Sequence, residues 1–170
     1  QSDNNVAIGS LAMGAGALNG ATLNVAVGFE SLKSLTTGDS NVAMGANAGD
    51  AITTTSNTVL IGQNAGTAIN SADADGSVGV GRDALQDLTS GQNSVAVGYR
   101  ALADLTTGDY NTAVGYGALD AITTSDYNTA LGWRCLEDNT ASDNTAVGAG
   151  ALQNNTTGSQ NTALGKGALD

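Results

Sequence analysis

Hydrophobic and polar positions recur along this chain in a unit of about 17 residues. The unit reads Asn-(Val/Thr)-Ala-(Val/Leu/Ile/Met)-Gly-x-x-Ala-Leu-x-x-(Leu/Ile)-Thr-Thr-Gly-x-x, with positions numbered one to seventeen. Its ten first residues are Asn5, Asn24, Asn41, Thr58, Ser77, Ser94, Asn111, Asn128, Asn144 and Asn161. A fixed period of this length is typical of a solenoid, in which each repeat forms one coil.

Positions one to five predict a short β-strand that ends at a glycine. Positions two and four alternate with the Ala at position three, so the two sets lie on opposite faces of the strand. The glycine at position five indicates a bend with positive φ or a close approach of the backbone. This position is Gly9, Gly28, Gly45, Gly62, Gly81, Gly98, Gly115, Gly132, Gly148 and Gly165.

A second run, x-Ala-Leu-x-x-Leu, predicts another short strand whose apolar side chains join the core, as with Leu102 and Leu105. The Thr-Thr-Gly that follows is typical of a turn. The sequence therefore predicts an all-β, parallel β-solenoid (a β-roll) of about ten 17-residue coils, with residues 1–170 as one repeat domain. Strand copies would pair in parallel about 4.8 Å apart. The Asn residues at position one would form a ladder of side-chain amides.

Two irregularities modify the repeat. Two coils have 19 residues, and we expect their additional residues, near 19–22 and 71–76, to form loops. Position two is Val in the first six coils and Thr in the last four. Because a buried hydroxyl needs a hydrogen-bond partner, we expect the strand face that contains position two to be more hydrated in the last four coils than in the first six.

Composition and charge limit the functions open to the chain. The formal charge is −11, from 16 acidic and 5 basic residues. Such a surface repels phosphates and anionic membranes, so we expect neither a nucleic-acid partner nor membrane insertion. The chain has no histidine, so we expect no enzyme activity and no cofactor. Cys135 occupies position eight, where other coils have Ala or Ser, and we interpret it as a small core residue.

Two groups of side chains are candidates for binding. The aromatic residues of coils six to eight, at positions six and seventeen, are Tyr99, Tyr110, Tyr116, Tyr127 and Trp133. Stacked coils would gather them into one patch for a glycan or protein receptor; alternatively, they stack on one another or lie at a chain–chain interface. Asp73 and Asp75 alternate as in a Ca²⁺ loop but lack its remaining ligands, which favours an acidic turn.

The chain also predicts self-association. A thin core of about four aliphatic side chains plus alanines per coil, with columns of small Ala and Gly residues, favours close packing of another chain at those columns.

Several of the repeats resemble those of known fibre families. Asn-Val-Ala-Ile-Gly (5–9), Asn-Val-Ala-Val-Gly (24–28) and Ser-Val-Ala-Val-Gly (94–98) resemble the head repeats of trimeric autotransporter adhesins of the YadA type, which are trimeric left-handed parallel β-rolls. Asn-Thr-Ala-Val-Gly-Tyr-Gly-Ala-Leu (111–119), with the Thr-Thr turn after it, resembles repeats in bacteriophage and large-virus tail-fibre proteins. Together these resemblances cover essentially the whole chain.

The resemblance implies a structural homotrimer, the shaft or head of a viral tail fibre that contributes to host attachment. The alternative is a bacterial surface adhesin of the trimeric autotransporter type, and both place the chain on a virion or a cell surface. A more remote alternative is an ice-binding solenoid. It is less favoured because the adjacent threonines lie in turns, with interruptions at Asn70 and Asn139.

Overall fold

The computed structural model describes residues 4–15 and 17–170. These form ten three-residue strands and one short 3₁₀ helix, Ala72–Ala74. The strands are β1 (Val6–Ile8), β2 (Val25–Val27), β3 (Val42–Met44), β4 (Val59–Ile61), β5 (Val78–Val80), β6 (Val95–Val97), β7 (Thr112–Val114), β8 (Thr129–Leu131), β9 (Thr145–Val147) and β10 (Thr162–Leu164). They form one parallel sheet in chain order, which confirms the predicted all-β parallel solenoid.

Each coil stacks on the next in strict register. Position two pairs with position two and position four with position four, as in Thr112 with Thr129 and Val114 with Leu131. Backbone hydrogen bonds also join neighbouring coils outside the strands, for example from Leu102 N to Ala118 O at 3.1 Å. Most of the perimeter of a coil is therefore bonded to its neighbours, so the turns are as tightly stacked as the sheet.

The predicted second strand is absent from the described coils. Its residues form turns, because positions seven and nine both have left-handed backbone; in the sixth coil these are Arg100 (φ 56°) and Leu102 (φ 53°). Two left-handed residues separated by one position turn the chain sharply. The apolar side chains of this run nevertheless enter the core as expected, and Leu102 and Leu105 are fully buried.

The strand faces inward with its alanine and outward with its larger side chains. The middle residue of β6, Ala96, is fully buried, while Val97 is 36% exposed. The threonine hydroxyls at position two need no buried partner, because they lie on the outward face, where Thr129 and Thr145 are exposed. The small-residue columns are not open to another chain, because Ala96 and Ala101 are buried within their own coil. The inside of the roll is narrow, and the leucines of positions nine and twelve fill it opposite the alanines.

The glycine at position five is required by coil stacking as well as by the bend. Gly98 has φ 136°, and a Cβ on it would lie 2.4 Å from the carbonyl oxygen of Gly115 in the next coil. No side chain fits into that gap. Both interpretations of this column, the positive φ and the close approach, are confirmed.

The predicted asparagine ladder runs along one corner of the roll. Asn128 N donates to Asn111 Oδ1 at 3.0 Å, and Asn144 N donates to Asn128 Oδ1 at the same distance. Asn111 and Asn128 are fully buried. The side-chain oxygen at position one therefore accepts a hydrogen bond from a backbone N–H of the next coil, which the strand leaves unpaired and which needs a partner because it is buried. Serine performs the same role at Ser94, whose Oγ accepts from Asn111 N at 3.3 Å.

Two sites depart from the leucine core. Coils three and four have Gly49 and Gly66 at position nine, and Leu60 of β4 fills the vacated space in place of the usual Ala. In coils eight and nine the apolar position twelve becomes Asn139 and Asn155, joined by a 2.8 Å hydrogen bond from Asn155 Nδ2 to Asn139 Oδ1. The core thus changes composition along the rod without a break in register.

Candidate binding surface

The outward face of the sheet is an exposed to half-exposed strip of mostly apolar residues. It consists of positions two and four of all ten coils, and none of these residues is charged. Ile8 is 59% exposed, Met44 42%, Leu131 46% and Leu164 80%. We call this surface the sheet strip. Contiguous exposed apolar area of this kind marks an interaction site, because water is a poor environment for it.

The five predicted aromatic residues lie at the two ends of strands β6 to β8, beside the sheet strip. Tyr110 and Tyr127 precede β7 and β8, and their rings stack with centroids 5.3 Å apart and planes inclined by 4°. Tyr99 and Tyr116 follow β6 and β7 and stack at 5.3 Å with a 27° inclination. The structure therefore brings four of the five residues together as two pairs, one on either side of the strip.

Arginine side chains lie over the aromatic column that follows the strands. The Arg82 guanidinium carbon is 5.5 Å from the centroid of the Tyr99 ring, and that of Arg134 is 4.9 Å from the Trp133 ring. Both distances are within the range of cation–π attraction. The column thus runs Arg82, Tyr99, Tyr116 along the rod, with Trp133 paired to Arg134. Trp133 remains 52% exposed.

Charged residues lie on the side of the roll that follows the sheet. Arg100 binds Asp120 of the next coil through two hydrogen bonds of 3.0 Å, and it lies 3.5 Å from Asp104. Burial raises the pKa of Asp104 above its ordinary value of 3.8; the charge of Asp120 adds to the shift and Arg100 opposes it. This region links neighbouring coils electrostatically, whereas positions two and four of the sheet strip contain no charge.

Asp73 and Asp75 lie in the longer turn of the fourth coil. Asp75 Oδ1 accepts a 2.6 Å hydrogen bond from Ser56 N. Ser71 caps the short 3₁₀ helix: its Oγ accepts from Asp73 N at 3.2 Å and lies 3.3 Å from Asp73 Oδ2. Asp75 thereby repeats a pattern of the other coils, in which the side chain of position sixteen accepts from the preceding coil, as Asp126 does from Asp109 N. No group of three acidic, Cys or His side chains that could hold a metal ion occurs among the described residues.

Cys135 is buried at position eight among the core residues. Its Sγ lies 3.2 Å from Ala146 O, and burial raises the pKa of the thiol. A thiol that is buried and held protonated is a weak nucleophile at neutral pH. This placement agrees with its interpretation as a core residue.

The sequence did not identify the sheet strip, since alternation alone does not tell which face of a strand is buried. The described residues include no pocket and no helix long and apolar enough to cross a membrane. Comparisons with protein-family models, curated proteins and solved structures found no match. The case for a function therefore depends on the surface itself.

Proposed function

We propose that this chain is a structural segment of a homotrimeric fibre, the shaft or head of a viral tail fibre that contributes to host attachment. The observation that supports it most is the sheet strip, an uncharged and mostly apolar surface that is exposed or half-exposed on every coil of a regular rod. Such a surface suits a partner that repeats with the same period. A further copy of the same chain has that period.

The sheet strip, together with positions seventeen to six that flank it, is large enough for a stable interface. Nine coil-to-coil steps of about 4.8 Å give a length of about 43 Å. The width from position seventeen to position six is at most about 20 Å, the length of a fully extended chain at 3.3 Å per residue. The product, about 860 Å² per chain, compares with the roughly 800 Å² that each partner buries in a standard interface.

The distribution of charge supports the same surface. A chain with a net charge of −11 repels its own copies wherever acidic residues meet. Positions two and four are uncharged in every coil, so copies can approach there with the least repulsion. The number three comes from the resemblance of the repeats, and cyclic symmetry brings the same strip of each copy to a common axis.

The test is the mass of the purified protein in solution by light scattering over a range of concentrations. We expect three times the chain mass of 16.7 kDa. Val97→Asp places a charge in the sheet strip and should give monomers with an unchanged circular dichroism spectrum. Thr107→Asp, at an exposed turn of the same coil, is the matched control and should remain assembled. A monomeric wild type would contradict the proposal.

The alternatives make different predictions. A bacterial adhesin would assemble in the same way, so the domains encoded beside this segment separate the two origins: a membrane anchor for the adhesin, a tail-attachment domain for the virion. An ice-binding solenoid would show thermal hysteresis. The sheet strip pairs the four threonines of coils seven to ten with aliphatic residues rather than with a second threonine row, which favours the fibre.

A further inference from the structure

We propose that Tyr99, Tyr110, Tyr116, Tyr127 and Trp133 are the anchors of the chain–chain interface rather than a receptor site. We call these five residues the aromatic anchors. The inference depends on the proposed homotrimer, and it specifies which coils of the rod contribute most to the binding between copies. It commits to a second copy of this chain as the occupant of the surface.

The aromatic anchors are continuous with the sheet strip. Tyr110 and Tyr116 flank β7 at its two ends and are 46% and 47% exposed. Tyr127 and Trp133 flank β8 in the same way and are 58% and 52% exposed. A partner seated on the strip at these coils would therefore cover aromatic side chains on both sides of it. No charged residue separates the anchors from the strip in coils seven and eight.

The ring faces are poorly placed to bind a sugar. A saccharide docks its apolar face on a free aromatic face, but the rings of Tyr110 and Tyr127 lie nearly parallel against each other. In the other column Tyr116 covers one side of Tyr99, and the Arg82 guanidinium lies over the same ring. Each stacked tyrosine thus has one of its two faces covered, so a sugar ring finds fewer free faces here, while ring edges and hydroxyl groups remain for a partner. Aromatic edges pack well against other rings and aliphatic side chains, which a second copy supplies.

The stacking also lowers the cost of association. Side chains that are already held in place lose little conformational entropy when a partner covers them. Each Tyr here is fixed by its neighbour in the adjoining coil, at 5.3 Å in both pairs. Tyr and Trp are the residues most often found to dominate interface energies, and they cluster in the centre of interfaces.

The position of the anchors along the rod provides a register. The aliphatic columns repeat in every coil, so a slip of one coil between copies would leave them matched. Apart from Phe29 in coil two, aromatic residues at positions six and seventeen occur only in coils six to eight; the neighbouring coils have Asn93, Asp143 and Ala149 at the corresponding positions. Cyclic symmetry places the same coil of each copy at the same height, so anchors meet anchors in one register alone.

Trp133 is the only tryptophan of the chain, so its fluorescence tests the inference directly. In the assembled wild type we expect its emission to shift to shorter wavelength and its quenching by acrylamide to fall, relative to the monomeric Val97→Asp variant. The double variant Tyr110→Ala/Tyr127→Ala should raise the chain concentration needed for half assembly by at least about tenfold, the change that corresponds to 1.4 kcal/mol. Thr107→Ala/Thr124→Ala, at exposed turns of the same coils, should leave it unchanged.

The outcomes separate this inference from the proposed fibre. Suppose the wild type assembles while Trp133 stays fully accessible to acrylamide and the tyrosine variant assembles normally. The proposed fibre is then supported, but the aromatic anchors are not part of its interface. If the wild type is monomeric at every concentration, the proposed homotrimeric fibre is contradicted. A shift of Trp133 emission when cellohexaose or chitohexaose is added to the assembled wild type would overturn the inference and make this patch a sugar site.

Discussion

The exchange of core volume between Leu60 and Gly66 offers the sharpest test of how the roll is packed. Most coils have a leucine at position nine and Ala at position three, whereas the fourth coil reverses the sizes. A Cβ on Gly66 would lie 2.8 Å from Leu60 Cδ2 and the same distance from Ile69 Cδ1. Leu60 therefore occupies the volume that the position-nine leucine fills elsewhere, so the two sites should be strongly coupled.

The expected energies follow from burial. Leu60 is fully buried, so Leu60→Ala should lower the free energy of unfolding by about 2–5 kcal/mol, the usual cost of a leucine-sized cavity. Gly66→Leu alone overfills the same space and should cost about 1–3 kcal/mol. Its backbone is suitable, because Gly66 has φ 62° and the leucines at this position have φ of 47–56°. The double variant should recover most of both losses, with a coupling of at least about 2 kcal/mol.

The assay is guanidinium unfolding followed by circular dichroism for the wild type, both single variants and the double variant, all at one protein concentration. A single concentration matters because assembly adds to the apparent stability. Leu119→Ala with Gly66→Leu is a control pair, since Leu119 occupies the same position three coils further along the rod, about 14 Å away, and is too distant to contact a side chain at residue 66. If the losses of Leu60→Ala and Gly66→Leu simply add, Leu60 does not fill the vacated space and the packing argument is wrong.

Three further variants test other parts of the fold. Gly148→Ala should strongly lower the free energy of unfolding, because its Cβ would lie 2.4 Å from Gly165 O. Gly165 has a similar φ, but a Cβ on it would have nothing within 4 Å, so Gly165→Ala is the control. A similar loss of stability in both variants would show that backbone strain rather than stacking is responsible. Asn128→Ala should cost about 1–3 kcal/mol in thermal or chemical unfolding by leaving the Asn144 N–H unpaired, and Asn128→Ser should cost less. Asp104→Asn should raise the melting temperature at neutral pH and change little well below pH 3.8. A raised carboxyl pKa means that the folded state binds protons more tightly, so its destabilising effect develops as pH rises through the folded-state pKa; equal shifts at both pH values would exclude this cause.

Much of the fold could be predicted because the period is visible in single residues. Glycine at position five appears in every coil, and in coils one to nine the structure places it where the backbone of the next coil leaves no room for a Cβ. Register then follows, since stacking one such glycine on the next fixes every other position. The asparagine ladder was predictable for the same reason, because identical side chains at one position must meet.

The candidate surface was only half predictable. The aromatic residues could be located from their positions in the repeat, but their division into two stacked pairs depends on the strand that separates positions seventeen and six. The sheet strip could not be located, because Val-Ala-Val is compatible with either face inward. A wide roll would bury the valines, whereas this roll is narrow enough that Ala96 and Leu102 fill it.

The left-handed leucines explain why the roll is narrow and why the second strand does not form. Leucine rarely adopts positive φ, and we estimate the cost at about 1–2 kcal/mol per residue. Fully burying a leucine side chain contributes about 1.5–3 kcal/mol. For Leu102, at φ 53° and fully buried, the gain from burial is therefore comparable with or larger than the backbone cost, and its backbone N–H remains bonded to Ala118 O. The turn directs the leucine towards the alanine side of the strand, which leaves the valine side to face outward. The same local choice that closes the coil thus exposes the surface on which the fibre proposal depends.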